Sequence, residues 1–160
     1  MQESSIRKAE PADVPRMVEL SEQKRLQYQS YQPTFWRKAA DSREKQIPHF
    51  ERVIDSDRAI ALVHERAGTI DGFVIATVVE APPVYDPGGL TCLIDDFVVA
   101  DPQAWGTIGA ALLNEANRQA HARGAVQTVV VCGHQDQPKR ALLTEDGFSI
   151  ASEWYVKPTV

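Results

Sequence analysis

Two adjacent carboxylates interrupt an otherwise apolar stretch, residues 90–99, and are the first candidates for chemistry. They are Asp95 and Asp96. Burying a carboxylate without partners is costly, so at least one of them must reach solvent, a hydrogen-bond donor or a cavity. Beside a cavity, a carboxylate could accept a proton from an ammonium group, directly or through water. Because side chains alternate along a strand, only one of the two can face such a cavity. Pairing with a backbone amide or an arginine is the structural alternative.

A glycine-containing turn follows this stretch and leads directly into a helical pattern. Gly106 and Gly109 lie in the turn, and Ile108, Leu112 and Ala116 recur on one helical face. A strand, such a turn and a helix N-terminus in that order can bind a pyrophosphate, because the first amides are free and the helix dipole favours anions. The spacing matches neither the P-loop nor the full dinucleotide fingerprint, and close packing alone would also explain the glycines.

A histidine and several aromatic residues complete the candidates. His134 follows an apolar stretch, residues 126–131, and strand ends border clefts in open sheets, although a surface position is the ordinary alternative. The stretch 28–38 holds more aromatic residues than a solvated connection needs, so it either packs over the core or lines a pocket. The proline-rich stretch 81–89 is either a functional loop or a plain surface excursion.

The periodicity of the chain predicts the strands and helices that must position these residues. The predicted strands are residues 5–8, 59–65, 72–80, 90–99, 126–131 and 148–156. The predicted helices run to about residue 27, over 42–54, from the glycine turn to about residue 123, and over 137–145. Pro48 either begins or kinks the second helix. The order β-α-α-β-β-β-α-β-α-β predicts an α/β (α+β) domain.

Bulk properties favour a single domain spanning residues 1–160. The chain has 43% hydrophobic and 24% charged residues, enough for one compact core. A net charge of −5 provides no general attraction to nucleic acid or anionic lipid. No apolar run approaches the roughly 18 residues of a membrane span, so we expect a cytoplasmic protein. Cys92 and Cys132 have neither metal-site spacing nor the density of a disulfide framework, so we expect no metal.

Two strings and the order of elements resemble the GCN5-related N-acetyltransferase (GNAT) superfamily across nearly the whole chain. Residues 96–100 continuing into 108–113 are similar to the acetyl-CoA motif of that family, and residues 141–148 are similar to the motif that ends its cofactor site. The resemblance implies the single-domain acyl-CoA N-acyltransferase fold, with a mixed, mostly antiparallel sheet of about six to seven strands flanked by helices. It also implies acetyl-CoA as co-substrate and direct acetyl transfer to the primary amine of a small molecule or peptide in a ternary complex.

The resemblance further implies roles for individual residues. Backbone amides would bind the cofactor, with that of Val98 the best candidate for the thioester oxygen. The implied cofactor-binding residues are Val98, Val99, Ala104, Trp105, Gly106, Thr107, Ile108, Gly109, Ala110 and Asp136. The candidate catalytic residues are Asp96, which matches the family better than Asp95, and His134. The implied acceptor pocket contains Tyr28, Tyr31, Phe35, Trp36 and Tyr85.

The chain departs from the family pattern in its glycine turn. In ungapped register, Ala104 stands at the usual Arg or Gln and Thr107 at the usual middle glycine, so that only Gly109 is retained. If the motif is instead aligned to begin at Gln103, Gly106 takes the position of the middle glycine. Because backbone amides bind the pyrophosphate in this family, these changes weaken the match more than they weaken the function.

The second departure concerns proton transfer to the leaving group. Leu143 stands where a tyrosine commonly protonates the leaving thiolate, and Asp136 stands where asparagine is common. Tyr155, Tyr85 or water could supply the proton, or the thiolate could leave unassisted. A catalytically silent acyl-CoA-binding or sensor module and a protein N-acetyltransferase are the alternatives. The acceptor amine is not identified by the sequence, which also leaves a homodimer open.

Overall fold

A five-stranded sheet organises residues 3–160, the part of the chain that the computed structural model describes. The strands lie side by side in the order in which they follow along the chain. They are β1 (Ser4–Lys8), β2 (Ala59–Arg66), β3 (Thr69–Val79), β4 (Leu90–Val99) and β5 (Ala125–Val130). The first three pairings are antiparallel, and only β4 and β5 run parallel. The sheet is therefore mixed and mostly antiparallel, as predicted.

Four α-helices within the described residues pack on the two faces of this sheet. They are α1 (Val14–Tyr31), α2 (Ser42–Ile54), α3 (Ala110–Ala122) and α4 (Gln137–Glu145). A π-helical turn, Trp105–Gly109, leads directly into α3. Within residues 3–160, no helix is both long and apolar enough to cross a membrane. In the same part of the chain, no group of three His, Cys, Asp or Glu side chains is placed to hold a metal ion.

The sheet separates two apolar cores, as the alternation of side chains along a strand requires. In β2, Ile60 and Leu62 are buried on the face that α3 covers, whereas Ala61 and Val63 are buried on the face that α1 and α2 cover. Because helices cover both faces, the central strands are apolar on both sides. Burial on both faces explains why the sequences of these strands are almost continuously apolar.

Most elements agree with the sequence prediction, and the differences have local causes. The predicted strand 90–99 is β4 itself, whereas α1 continues four residues beyond the predicted end, so that Tyr28 and Tyr31 belong to the helix. Pro48 lies inside α2, which forms as one helix from Ser42.

The predicted strand 148–156 is wrong, and the expected six to seven strands are too many. Residues 148–160 form neither helix nor strand, and all of them except Phe148 are exposed. Trp154 packs instead edge-to-face on Phe35, with ring centroids 5.8 Å apart. The residue types of this segment are ones that pack well in a sheet, which is why the sequence predicted a strand. A strand forms only where its backbone can hydrogen-bond to a neighbouring strand, and within residues 3–160 this segment has no such neighbour.

A buried carboxylate connects the first two helices. Glu22 in α1 accepts hydrogen bonds from Ser42 at 2.8 Å and from Arg25 at 3.1 Å, and its other oxygen lies 2.7 Å from the ammonium of Lys38. Burial by itself would raise the pKa of Glu22, but the bonds from Lys38, Ser42 and Arg25 outweigh it and lower the pKa to about 2. Glu22 therefore holds the aromatic segment between α1 and α2 in place.

We expect Glu22→Gln to destabilise the fold by about 1 to 3 kcal/mol at neutral pH, because it leaves the half-buried donors Lys38, Ser42 and Arg25 without a charged acceptor. The lowered pKa means that this stability is complete above pH 4.5 and is lost as the pH falls from there towards about 2. Urea unfolding at neutral and acidic pH measures both effects, and the variant should lose less stability on acidification. Glu19→Gln, at a half-exposed surface pair with Arg16, is the control and should change stability by less than about 0.5 kcal/mol. Equal acid sensitivity of Glu22→Gln and the unmodified protein would contradict the assignment.

Candidate active site

The parallel ladder between β4 and β5 ends halfway along β4. The last paired residues are Ile94 and Val130, after which Val131 donates a final backbone hydrogen bond to Ile94 at 2.9 Å. Beyond this point β4 continues to Val99 with β3 as its only strand neighbour within residues 3–160. A gap therefore opens beside the second half of β4, and the backbone groups that face it have no strand partner.

A β-bulge coincides with the end of this ladder. Ile94 pairs with Ala76 and Phe97 with Val74, so that Asp95 and Asp96 together oppose a single residue of β3. The bulge lets both Ile94 and Phe97 face the core under α3. Asp95 and Asp96, the carboxylate pair found in the sequence, are thus the two residues that form the bulge.

The bulge gives the two carboxylates different surroundings. Asp95 is exposed, whereas Asp96 is half-buried. Burial raises the pKa of Asp96, the nearby Lys24 ammonium opposes this rise, and the charge of Asp95 adds to it. Within residues 3–160, no side chain or backbone amide donates a hydrogen bond to the Asp96 carboxylate. Asp96 is therefore not paired with a backbone amide or an arginine of the described chain, which was the structural alternative for this carboxylate.

Backbone directions along β4 identify which groups face the gap. The carbonyl of Phe97 accepts a hydrogen bond from Lys139 Nζ at 3.3 Å across the gap, whereas the amide of Ala100 donates to Asp71 of β3 at 2.8 Å. Successive residues of a strand turn their backbone groups to opposite sides. Phe97 and Val99 therefore face the gap, and Val98, the residue favoured from the sequence, turns its amide towards β3.

A small cleft of about 70 Å³ lies at the mouth of the gap. Its walls come from α1, from the second half of β4 and from the turn before α3. The lining residues include Leu20, Gln23, Lys24, Gln27, Phe97, Val98, Val99, Trp105 and Asp136. The cleft thus brings together three of the predicted cofactor-binding positions on β4 and the turn, and Asp136 from the start of α4.

The floor of the gap is closed by a hydrogen-bonded group centred on Tyr28. The hydroxyl of Tyr28 donates to Asp136 Oδ2 at 2.6 Å and accepts from the amide of Gly133 at 3.2 Å. Burial and the Asp136 carboxylate raise the pKa of Tyr28, which therefore stays neutral. Asp136 also accepts from the backbone of Lys139 and so caps α4. Tyr28 joins α1, the end of β5 and α4, and it does not line the acceptor side of the cleft.

Lys139 is a buried site residue that the sequence reasoning missed. Its side chain is completely buried, and Nζ lies 5.3 Å from the ring centroid of Phe97 and 5.4 Å from that of Trp105. Burial and then the charge of Lys24 lower the pKa of Lys139 to about 7. One feature of the sequence could have indicated its burial. Lys139 lies three residues before the buried Leu142, and residues with this spacing share one face of a helix.

The two glycines of the turn before α3 have different roles. A Cβ on Gly109 would lie 2.7 Å from the Trp105 ring, so this glycine serves close packing. A Cβ on Gly106 would meet nothing within 4 Å, so this glycine borders open space. No side chain caps the turn at Ala104. The Ala104 amide donates to the Asp101 carbonyl at 2.9 Å and the Ala110 amide to the carbonyls of Thr107 and Trp105, so any amide that a ligand binds lies between these two residues.

A larger cavity of about 530 Å³ lies on the other flank of the same turn. Ala104, Thr107 and Ile108 line it together with a buried histidine of β2, His64, which contacts Asp71 at 2.5 Å. The turn therefore has solvent-accessible space on both flanks. Ala110, which follows the turn, is the first residue of α3.

The remaining predicted residues lie outside the cleft lining. His134 is exposed, and its carbonyl accepts from Arg140 at 2.9 Å. Tyr155 and Tyr85 are 89% and 72% exposed, and the Tyr155 hydroxyl donates to Glu153. Trp36 packs on Tyr28 with ring centroids 4.8 Å apart, while Tyr31 and Phe35 lie at the outer edge of this aromatic cluster. The structure brings none of these residues to Asp96.

No protein-family model matches the sequence, and no curated protein is significantly similar to it. Solved structures do match. A predicted acetyltransferase with acetyl-CoA from Clostridium acetobutylicum is 16% identical at a TM-score of 0.75, over 98% of this chain and 96% of that chain. A mutant of a Bacillus halodurans protein is 16% identical at a TM-score of 0.85, over 98% and 99%. Glucosamine-6-phosphate N-acetyltransferase from Arabidopsis thaliana is 18% identical at a TM-score of 0.68, over 99% of each chain.

These likenesses define the class of fold. The chain has the acyl-CoA N-acyltransferase fold, as its motifs indicated. The similarity covers nearly the whole described chain, from β1 to the segment after α4.

We expect Tyr28→Phe to destabilise the fold by about 1 to 3 kcal/mol, because it leaves the buried Asp136 carboxylate without its strongest donor. Thermal or urea unfolding measures the change. Tyr31→Phe is the matched control, since within residues 3–160 its hydroxyl only accepts a hydrogen bond from Gln27 at an exposed position, and it should be nearly neutral. Equal stability of the two variants would show that the Tyr28 hydroxyl does not hold the floor of the gap.

Proposed function

We propose that the protein is an acetyl-CoA-dependent N-acetyltransferase that passes the acetyl group to the primary amine of a small molecule or peptide within a ternary complex. The observation that carries the proposal is the gap beside the second half of β4, where the backbone groups of Phe97 and Val99 have no strand partner within residues 3–160, next to the turn that leads into α3. Two structures of similar fold, a predicted acetyltransferase with acetyl-CoA and an aminoglycoside N-acetyltransferase with CoA, support the same co-substrate here.

The residues present fit an acyl-CoA thioester. Amides around Gly106 would bind the pyrophosphate, because they lie in the turn that leads into α3 and the open space at Gly106 lets an anion approach the backbone. The backbone groups of Phe97 and Val99 would bind the thioester arm along β4. An amide among them would also stabilise the oxyanion that develops during transfer. This assignment replaces Val98, whose amide faces β3.

Asp96 is our candidate for the general base. An amine must be neutral to attack a thioester, and a half-buried carboxylate without a hydrogen-bond donor can accept its proton directly or through water. The raised pKa of Asp96 makes it a stronger base than an exposed carboxylate. The negative charges of Asp95 and Asp96 also favour a cationic amine near the cleft.

A catalytically silent acyl-CoA-binding module is the second candidate function. Leu143 cannot donate a proton, and the side chains of Tyr28 and Lys139 occupy the floor of the gap. A sensor would need the same backbone cradle but no proton transfer. Protein N-acetylation is a variant of the first proposal with a larger acceptor, and a cytoplasmic location and a homodimer remain expectations from the sequence.

Calorimetric titration with acetyl-CoA and with free CoA tests the cofactor site. We expect saturable binding in the low micromolar range, roughly 8 kcal/mol of binding free energy. Gly106→Val should weaken binding at least about tenfold, because the valine side chain would cover the amides. Ala122→Val, which places a valine at an exposed position at the far end of α3, is the control. Absence of binding by either ligand would mean that the chain keeps the fold without the function.

A pH profile of acetyl transfer tests the base, with an acceptor found by screening amines. Asp96→Asn should lower turnover and remove the acidic limb, because only the deprotonated carboxylate accepts the proton. That limb should lie above the ordinary range of an exposed aspartate, since burial raises the pKa of Asp96. Asp95→Asn is the matched control at the neighbouring exposed carboxylate. If the rate of Asp96→Asn still falls at low pH as it does in the unmodified protein, Asp96 is not the base and its role is structural.

A further inference from the structure

Lys139 carries hydrogen-bonding capacity that the described protein does not use. An ammonium has three N–H donors, and within residues 3–160 the only acceptor for Lys139 Nζ is the Phe97 carbonyl at 3.3 Å. No carboxylate of the described chain forms a salt bridge with it. Complete burial of a cation with two unused donors is costly unless something else completes its shell.

The position of this ammonium points to what completes the shell. Nζ reaches the Phe97 carbonyl from the gap side of β4, the same side on which the thioester arm is proposed to lie. The Phe97 and Trp105 rings that flank Nζ also line the cleft. Lys139 stands one helical turn before Leu143 on the same face of α4, so a donor-bearing side chain lies on the face on which Leu143 offers none.

We propose that Lys139 is the proton donor to the sulfur of CoA when the thioester is cleaved, which rests on the proposed function and adds a catalytic residue to it. The acceptor nitrogen forms a bond to the acetyl carbon, and the carbon–sulfur bond breaks with its electron pair on sulfur. A proton passes from Lys139 Nζ to that sulfur and leaves a neutral amine on Lys139. The proton released by the acceptor nitrogen goes to Asp96 or water, and Lys139 regains a proton from solvent.

The charged groups around Lys139 suit a donor of this kind. Lys24 of α1 disfavours the charged form, whereas Cys132, Asp136 and Asp95, from the end of β5, the start of α4 and β4, favour it. Burial is the largest influence, and the pKa of Lys139 falls to about 7. A donor with this pKa gives its proton readily to a thiolate, whose thiol has an ordinary pKa of about 8.5. Lys139 is protonated below pH 7 and loses its donor form as the pH rises through that value.

The first test measures contact between Lys139 and the CoA sulfur without measuring turnover. The side-chain nitrogen resonance of Lys139 is identified by its loss in Lys139→Met, and it is followed by nuclear magnetic resonance as CoA or desulfo-CoA, the analogue without sulfur, is added. We expect a clear shift with CoA and a much smaller one with desulfo-CoA. Saturable CoA binding that leaves the Lys139 resonance unmoved would overturn this proposal and leave the cofactor site intact, whereas absence of CoA binding would overturn both.

The second test compares rates with a small amine that stays unprotonated over the range studied, such as hydroxylamine, so that acceptor ionisation does not enter. The rate of the unmodified protein should fall as the pH rises through about 7. Lys139→Met should bind acetyl-CoA within about threefold of normal, react about 10 to 100 times more slowly, and lose that alkaline limb. An unchanged rate and limb would exclude Lys139 as the donor.

Two controls separate this role from a structural one. Lys139→Met keeps the volume of the side chain and removes a buried charge, so its unfolding temperature should equal or exceed that of the unmodified protein. Lys24→Met removes the lysine that lines the cleft, whose Nζ donates to the Asp95 carbonyl at 3.4 Å. It should keep the alkaline limb, displaced to higher pH because Lys24 lowers the pKa of Lys139. The same loss of the limb in both variants would mean that general positive charge, not Lys139, is responsible.

Discussion

The early end of the parallel pairing between β4 and β5 is the constraint on which the rest of the site depends. A backbone polar group away from water needs a partner, and a strand that loses its neighbour halfway leaves a row of such groups. Lys139 takes one of them, the Phe97 carbonyl. Tyr28 and Asp136 close the floor of the same gap. What stays open is a short stretch of β4 beside a helix start, an arrangement suited to an extended ligand with a charged end.

Burial has opposite effects on the two ionisable groups near this stretch. It raises the pKa of Asp96, on the side of α1, and lowers the pKa of Lys139, on the side of α4. Each group is thereby moved towards the neutral form, which brings an acid and a base closer to a common pH range. Lys24 acts on both, because its charge favours ionised Asp96 and disfavours ionised Lys139. A proton acceptor and a proton donor thus lie on the two sides of the second half of β4.

The departures from the family motif are accommodated by packing. Gly109 is needed because Trp105 lies against its backbone, and Trp105 in turn packs edge-to-face on Phe97 with centroids 4.9 Å apart. Thr107 is exposed, and its hydroxyl bonds back to the Ala104 carbonyl, so its bulk turns away from the cleft that Trp105 lines. The open position is Gly106. The glycine that packs and the glycine that a ligand can approach are therefore different residues.

The sequence by itself determined the order of elements up to α4, the extent of β4, the carboxylate pair inside it and the glycine turn before α3. Each is a local pattern of periodicity or turn chemistry, and such patterns decide which residues share a face. Only the tertiary structure decided that Asp96, not Asp95, is half-buried, that Phe97 and Val99 face the gap, and that Lys139 is enclosed. It also left residues 148–160 outside the sheet. These outcomes depend on which strand or helix lies next to each residue. The periodicity along one strand or helix carries no information about its neighbours.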